Sequence, residues 1–157
     1  MRILVISDSH GRTSEIEKAI EAQKDAKHIF FLGDCVRDIE DCPFIYEDRT
    51  FHIVSGNCDG ETMNKTSDSI VLNGRKIFFT HGHFYGVKGG ISKLKEKAIR
   101  EGFDLVLYGH THTSDIQYAD GIHFVNPGSL CSGRGSSTGY AVIDIEKNGI
   151  MPIIIKT

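Results

Sequence analysis

Five short polar clusters, built from aspartate, histidine and asparagine, each follow an apolar segment of the chain. The clusters are Asp8 with His10 after residues 3–6, Asp34 after residues 28–32, Asn57 to Asp59 after residues 51–54, His81 with His83 after residues 76–79, and His110 with His112 after residues 105–108. In open α/β sheets, ligands bind outside the carboxyl ends of the strands, so the five clusters are predicted to converge on one crevice. Glycines lie beside most of the clusters, as expected where the backbone approaches another group closely.

Imidazole and carboxylate side chains in this arrangement are typical ligands of divalent transition metals. Two such donors on one short loop, as in Asp8-Ser9-His10, can reach one ion. The thiol-rich spacing of a structural zinc site is absent from the sequence, which favours a catalytic centre. The alternative is that each residue is an independent cap or turn former. Five successive clusters at the same end of their strands argue against that alternative.

The other histidines and the cysteines do not share this pattern. His28, His52 and His123 are interpreted as ordinary strand or surface residues. The four cysteines form no CxxC pair, which indicates a reduced, cytoplasmic setting in which most of them are small buried side chains. They are Cys35, Cys42, Cys58 and Cys131, of which Cys58 is a possible exception.

The first half of the chain alternates apolar segments with crossovers, a pattern typical of a parallel sheet. Strands are predicted at residues 3–6, 28–32 and 51–54. A capping box of Ser14 and Glu17 predicts the start of a helix, whose apolar stripe is Ile16, Ala19 and Ile20. One helical turn is predicted around Cys42-Pro43.

The second half is rich in hairpin signals. Asn73-Gly74 joins predicted strands at 69–72 and 76–79, and Asp120-Gly121 joins strands at 116–118 and 122–125. A further strand is predicted at 105–108, and a last hairpin at 140–145 and 150–155 turns around Asn148-Gly149. Ile91, Leu94, Ala98 and Ile99 predict one helical face, and Gly102 its end. Together the halves predict a mixed α/β fold with two sheets.

Length and charge exclude several classes of function. With 157 residues, the chain is predicted to form one domain, residues 1–157. A net charge of −3 argues against a broad nucleic-acid surface or an electrostatic grip on a membrane. The sequence has no segment typical of a membrane span or a signal peptide. An anionic substrate would therefore have to be attracted by something other than surface lysines.

The ordered motifs resemble those of the calcineurin-like metallophosphoesterases. The matching motifs are Asp8-Ser9-His10, Gly33-Asp34, Gly56-Asn57, His81-Gly82 and Gly109-His110-Thr111-His112. The small size and Asn126-Pro127-Gly128-Ser129 resemble a compact branch of bacterial and archaeal phosphodiesterases, which also includes the small scaffold subunit of the retromer coat. The resemblance implies a four-layer α/β/β/α sandwich of two mixed sheets flanked by helices.

The resemblance also implies two divalent metal ions. Asp8, His10 and His112 would hold one, Asn57, His81 and His110 the other, and Asp34 would bridge them. Such a pair can clamp a phosphoryl group and generate a hydroxide that attacks phosphorus. Manganese is favoured because mixed oxygen and nitrogen sites with open positions suit it, and nickel, iron, zinc or magnesium remain alternatives.

Other positions carry less defined expectations. Many family members have histidine where this chain has Cys58, and a thiol is a poor general acid. Cys58 is a candidate acid or supporting residue, and packing is favoured over a role as nucleophile. His83 is a candidate substitute acid, and Asp59 a candidate acid or supporting residue. Arg12, together with the ligand Asn57, is a candidate substrate-binding residue. Ser129 and Arg134 lie in a Gly/Ser-rich loop that borders the site or only forms turns.

The expected function is hydrolysis of a small phosphodiester. Two divalent ions with the carboxylates of Asp8 and Asp34 leave a site charge of about +2, which an attacking hydroxide and a phosphodiester neutralise. Two alternatives remain open. One is a protein-interaction scaffold with a vestigial metal site, which predicts missing ligands, whereas all seven positions are filled here. The other is a phosphomonoesterase or nucleotidase, which differs only in its substrate.

Overall fold

Two five-stranded sheets and three α-helices form the chain in a computed structural model that describes residues 1–131 and 137–157. The strands are β1 Arg2–Ile6, β2 Ala26–Phe31, β3 Thr50–Ile53, β4 Ser67–Leu72, β5 Arg75–Thr80, β6 Leu105–Tyr108, β7 Asp115–Ala119, β8 Ile122–Asn126, β9 Gly139–Glu146 and β10 Gly149–Lys156. The α-helices are α1 Thr13–Ala22, α2 Cys42–Ile45 and α3 Ser92–Glu101, and short 3₁₀ turns cover Val36–Asp38, His83–Tyr85 and Val87–Gly89. No helix in the described part of the chain is both long enough and apolar enough to cross a membrane.

Each sheet has a parallel centre and antiparallel edges. The first sheet has the order β10-β9-β1-β2-β3, in which β1, β2 and β3 run parallel. The second has the order β4-β5-β6-β8-β7, in which β5, β6 and β8 run parallel. The division into a parallel half and a hairpin half was therefore too simple, because the last hairpin, β9–β10, joins the first sheet through β1.

The packing of these sheets confirms the four-layer α/β/β/α sandwich. The inner faces of the two sheets enclose one apolar core, represented by Val5 and Ile143 from one sheet and Leu107 from the other. α1 packs on the outer face of the first sheet through Ile16 and Ile20. α3 covers the outer face of the second sheet through Leu94 and Ala98, which are also buried.

The hairpin turns follow the local sequence. Asn73 and Gly74 have φ values of 48° and 77°, and Asp120 and Gly121 have 54° and 79°. Two consecutive residues with positive φ are the requirement of the tightest hairpin turn, which Asn-Gly and Asp-Gly meet at low cost. Both predicted turns are confirmed.

The helix ends are less well predicted. The capping box of Ser14 and Glu17 is wrong, because α1 begins at Thr13, Arg12 occupies the cap position and no side chain caps the helix. The C-terminal end of α3 is as predicted, with Gly102 at a φ of 69°. Ile99 was expected on the buried face but is 58% exposed, because the face that meets the sheet is narrower than the apolar pattern.

Candidate metal centre

The polar clusters that follow β1, β2, β3, β5 and β6 come together in one cleft. The cleft has a volume of about 360 Å³ and is lined by His10, Asp34, Asn57, Cys58, Lys88, His110, His112 and Cys131. Asp8 and His81 are fully buried at its base. Donors from both sheets therefore meet at one place, and loops that are far apart in the sequence bring them together.

Four donor groups form the first part of the cluster. Asp8, His10, Asp34 and His112 each place one potential ligand atom within 4.8 Å of the others. His112 Nε2 lies 3.1 Å from Asp8 Oδ1 and 3.3 Å from His10 Nε2, which in turn lies 3.8 Å from Asp34 Oδ2. Atoms bound to one ion at about 2.0–2.2 Å have separations in this range.

A second group of donors lies on the other side of Asp34. His81 Nε2 is 3.1 Å from Asn57 Oδ1, 3.1 Å from His110 Nδ1 and 3.4 Å from Asp34 Oδ1. The two oxygens of the Asp34 carboxylate thus face different donor groups, Oδ2 toward His10 and Oδ1 toward His81. The Asp34 carboxylate is thus shared between the two donor groups.

The chemistry of these atoms fits a bound cation. His81 Nδ1 lies 2.8 Å from the carbonyl oxygen of Leu32, so Nδ1 must carry the proton and donate it. In a neutral imidazole, Nε2 then has only a lone pair. That lone pair faces the carbonyl oxygen of Asn57 and a carboxylate oxygen of Asp34, and a cation between these three electron-rich atoms would stabilise the arrangement.

Asp8 gives a second, independent indication. Its Oδ2 accepts hydrogen bonds from Ser7 Oγ at 2.5 Å and from the backbone N–H of His110 at 3.1 Å. Its Oδ1 is buried and has no hydrogen-bond partner among the described residues, although it points at His112. A buried carboxylate oxygen without a partner is costly unless a cation compensates it. The residues present therefore fit divalent metal ions.

Five of the seven predicted ligands have an unusual backbone conformation. Asp8, His10, Asp34, His110 and His112 have φ values of 54°, 43°, 60°, 69° and 60°. Residues other than glycine adopt this left-handed backbone conformation rarely, and it costs them roughly 1–2 kcal/mol. With this backbone conformation, each side chain lies at the shared cleft. Such strained residues are common at functional sites.

Two glycines leave room for the carboxylates. A Cβ on Gly56 would overlap the carboxylate of Asp34, and a Cβ on Gly109 would collide with Ser7 Oγ and approach Asp8 Oδ2 to 2.9 Å. These contacts explain why glycine lies beside the polar clusters, as the sequence indicated.

Asp59 connects the loops that carry Asp34 and Asn57. Its carboxylate accepts three backbone N–H bonds, from Asp34 at 3.0 Å, from Val36 at 2.7 Å and from Gly56 at 2.6 Å. A carboxylate so occupied is poorly placed to act as an acid. Of the two roles left open by the sequence, this geometry fits support of the ligand loops.

Cys58 contributes its backbone to the cluster. The Cys58 N–H donates to Asp34 Oδ1 at 2.9 Å, and the thiol lies at the cleft surface, 3.4 Å from Asn57 Nδ2. The packing role expected for Cys58 is wrong, because the residue is exposed. Burial, with the neighbouring Asp34 carboxylate, raises the pKa of the thiol to about 11. Cys58 is therefore a thiol rather than a thiolate at neutral pH, which does not suit a nucleophile.

The charges of the cluster shift several of its ionisable groups. Burial alone would raise the pKa of Asp8, but the close approach of His112 Nε2 and the proximity of His81 hold it below its usual value. The same contact raises the pKa of His112. Burial, His81 and Lys88 lower the pKa of His110, which favours the neutral imidazole that a metal ion needs.

The remaining candidates lie at different distances from the cleft. The ring centroid of His83 is 5.3 Å from that of His81 and 6.1 Å from that of His110, and the acid role of His83 stays a prediction. Arg12 is exposed at the start of α1 and does not belong to the described lining of the cleft. Ser129 donates to the backbone oxygen of Asp8 at 2.7 Å, whereas Arg134 lies outside the described residues.

The sequence reasoning missed Lys88 and did not predict what the other histidines do. Lys88 lines the cleft from the glycine-rich stretch after His83, and a basic residue between glycines was the available signal. His28 and His52 lie on neighbouring strands with Nδ1 and Nε2 3.0 Å apart, and His123 packs against Tyr118. None of these three is part of the cleft lining.

Known proteins resemble the chain along nearly its whole length. Residues 1–148 match the model of the calcineurin-like phosphoesterase superfamily domain. A phosphodiesterase of Methanocaldococcus jannaschii is 29% identical over 173 residues, which cover 99% of this chain and 100% of the relative. The crystal structure of a predicted phosphoesterase from Streptococcus pneumoniae superposes with a TM-score of 0.83 at 28% identity, covering 99% of this chain and 88% of that one.

A further solved structure shares the fold without close sequence similarity. A single mutant of Vps29 from Entamoeba histolytica superposes with a TM-score of 0.78 at 19% identity, covering 100% of this chain and 99% of that one. At this identity the likeness concerns the fold alone.

Proposed function

The chain belongs to the calcineurin-like phosphoesterase superfamily, and we propose that it is a phosphodiesterase that works with two divalent metal ions in one centre. The observation that carries the proposal is the orientation of the Asp34 carboxylate, whose two oxygens face two separate donor groups. Asp8, His10 and His112 would hold one ion, and Asn57, His81 and His110 the other.

The chain positions the donor groups for the reaction. When bound, such ions supply an activated water at neutral pH and a Lewis-acid clamp on the phosphoryl oxygens. Leu32 fixes the tautomer of His81 and thereby the direction of its free nitrogen. Asp59 holds the loops of Asp34 and Asn57 in a fixed relation, so the donors are in place before substrate arrives.

A diester is favoured over a monoester by two arguments. The site charge of about +2 is neutralised by a hydroxide together with one singly charged diester, whereas a doubly charged monoester exceeds it. The relative from Methanocaldococcus jannaschii, which matches this chain over its whole length, is named a phosphodiesterase. The open cleft of about 360 Å³ has room for a small ester.

Manganese is the metal that we favour. Oxygen and imidazole nitrogen donors without a thiolate suit manganese, and nickel, iron, zinc and magnesium are accepted by similar sets. Cys35 Sγ lies 3.9 Å from His10 Nδ1 and is thus beside the ring rather than among the donor atoms that face the cleft.

The scaffold alternative is less well supported. The fold of Vps29 allows it, but a vestigial site would have lost at least one donor. All seven donor positions are filled here, and the donor atoms face one another at 3.1–4.0 Å. A phosphomonoesterase or nucleotidase would use the same donors and is distinguished only by substrate.

A panel of substrates with added manganese tests the proposal. The panel contains an aryl phosphodiester, the matching aryl monoester and cyclic nucleotides, each measured with and without chelator. We expect cleavage of the diester to exceed that of the monoester and to be lost with chelator and in Asp34→Asn. Diester cleavage that persists in chelator would exclude the metal mechanism, and faster monoester cleavage would exclude the diester preference.

A further inference from the structure

Lys88 is the one lysine in the described lining of the metal cleft, and that lining has no arginine. The only other charged side chain of that lining, histidines apart, is Asp34, which is directed at the donor groups. Two further carboxylates of the neighbouring loops do not belong to the described lining and accept hydrogen bonds from other groups. Asp38 accepts hydrogen bonds from Ser9 and from the backbone of Gly11, and Asp59 accepts the three described above.

The backbone holds Lys88 in a defined place. Lys88 is the central residue of the 3₁₀ turn Val87–Gly89, and two glycines with positive φ, Gly86 at 64° and Gly90 at 124°, flank that turn. Val87 is 4% exposed and packs so closely that a Cβ on Gly82 would approach Val87 Cγ2 to 2.9 Å. The turn is therefore anchored beside His81, and the exposed Lys88 side chain extends from an ordered base.

The ammonium group of Lys88 has no hydrogen bond or ion pair within the described part of the chain. An unpaired cation that adjoins a group of metal donors repels a metal ion. Its position is explained if an anion binds between the two.

The charge of the cleft then defines the class of that anion. The two proposed ions, the two ligand carboxylates and Lys88 together leave about +3, one more than an attacking hydroxide and a simple phosphodiester neutralise. We propose that Lys88 binds a second anionic group of the substrate, so that the preferred phosphodiester carries a carboxylate or phosphate close to the scissile phosphorus. This inference rests on the proposed phosphodiesterase function and narrows its substrate class.

Two matched probes test the inference: 4-nitrophenyl butyl phosphate, with one negative charge, and 4-nitrophenyl 3-carboxypropyl phosphate, with two. We expect the manganese-loaded wild type to prefer the second, and Lys88→Met to lower kcat/KM for the second about tenfold but for the first less than about threefold. Lys88→Arg should restore the preference, because it restores the charge. Calorimetric titration with inorganic phosphate should show about tenfold weaker binding to Lys88→Met.

A control variant separates local from overall charge. Lys93→Met removes an exposed lysine of α3 outside the cleft and should leave both probes and phosphate binding unchanged. Equal effects of Lys88→Met on both probes, or no effect, would overturn the inference while hydrolysis by the wild type leaves the proposed function intact. If the wild type hydrolyses neither probe, the proposed function itself fails. Lys88→Gln replaces Lys88→Met if the latter does not fold.

Discussion

The carboxylate of Asp59 accepts the backbone N–H of Asp34 at 3.0 Å across a gap of 25 residues in sequence. Together with its bonds from Val36 and Gly56, this contact ties the loop after β2 to the loop after β3. The proposed bridging ligand is thus held by a side chain that touches no metal ligand atom. The precision of the centre depends on such contacts.

Replacing Asp59 should weaken both the fold and the centre. Asp59→Ala leaves three backbone N–H groups without their acceptor, and we expect it to lower the free energy of unfolding by about 2–3 kcal/mol. Manganese affinity should fall about 10–100-fold. Urea unfolding of the metal-free protein and manganese titration measure the two effects. Asp25→Ala, at an exposed position, is the control, and equal behaviour of the two variants would contradict the role of Asp59.

A methyl group at Gly56 should displace the Asp34 carboxylate. The Cβ of Gly56→Ala would overlap that carboxylate and lie 2.6 Å from the Asp34 backbone nitrogen, so we expect manganese affinity and diester hydrolysis to fall at least about tenfold. Gly149→Ala is the matched control, because nothing lies within 4 Å of its new Cβ. Undiminished metal binding by Gly56→Ala would show that the geometry at Asp34 is wrong.

The pair formed by His28 and His52 should make the metal-free protein less stable in acid. Burial, with His28 beside it, lowers the pKa of His52 to about 4, against the opposing effect of Asp68. Between about pH 6.5 and pH 4, the unfolded chain, with a histidine pKa of about 6.5, therefore binds a proton at His52 that the folded chain does not bind. The stability due to neutral His52 is complete above about pH 6.5 and is lost as the pH falls to about 4, by at most about 3 kcal/mol.

Urea unfolding at several pH values between 4 and 7 measures this loss. His52→Phe keeps an aromatic ring next to Phe30 but removes the titrating group. As the solution becomes more acidic, the free energy of unfolding should therefore fall more for the wild type than for His52→Phe. A difference that does not vary with pH would contradict the assignment.

Cys58 should be dispensable for the reaction. Its thiol has a pKa of about 11 and its backbone N–H, not its sulfur, contacts Asp34. We expect Cys58→Ser to retain diester hydrolysis within about threefold, since no covalent step is needed when water is the nucleophile. Steady-state hydrolysis with manganese measures this. Loss of activity in Cys58→Ser with full metal binding would indicate a direct chemical role.

Local signals in the sequence predicted much of the fold. Asn73-Gly74 and Asp120-Gly121 mark their hairpins because the turn needs those residue types at those positions. The order of the strands within each sheet could not be predicted from local signals, since the pairing of β9 with β1 joins segments more than 100 residues apart. The capping box failed because Ser14 lies within α1, whose first backbone hydrogen bonds, from Glu15 and Ile16, already go to the carbonyl oxygen of Arg12.

For the candidate site too, the local sequence predicted some features, whereas others depend on contacts between distant segments. The predicted donors lie directly after strands, so the sequence could indicate that they converge. The tautomer of His81 depends on the carbonyl of Leu32, and the placement of Lys88 depends on the packing of Val87 against Gly82. The first contact leaves no mark in residue types, and the second is marked only by the glycines around Lys88.

Counting the manganese ions bound to each chain tests the central claim most directly. Metal-free protein is brought to equilibrium with manganese by dialysis, and the bound ions are measured for wild type and Asp34→Asn. We predict two ions per wild-type chain and weaker binding, with loss of diester hydrolysis, when the carboxylate of Asp34 is replaced. A wild-type chain that hydrolyses the diester with one ion or none, or an Asp34→Asn variant that binds two ions as tightly, would contradict the account.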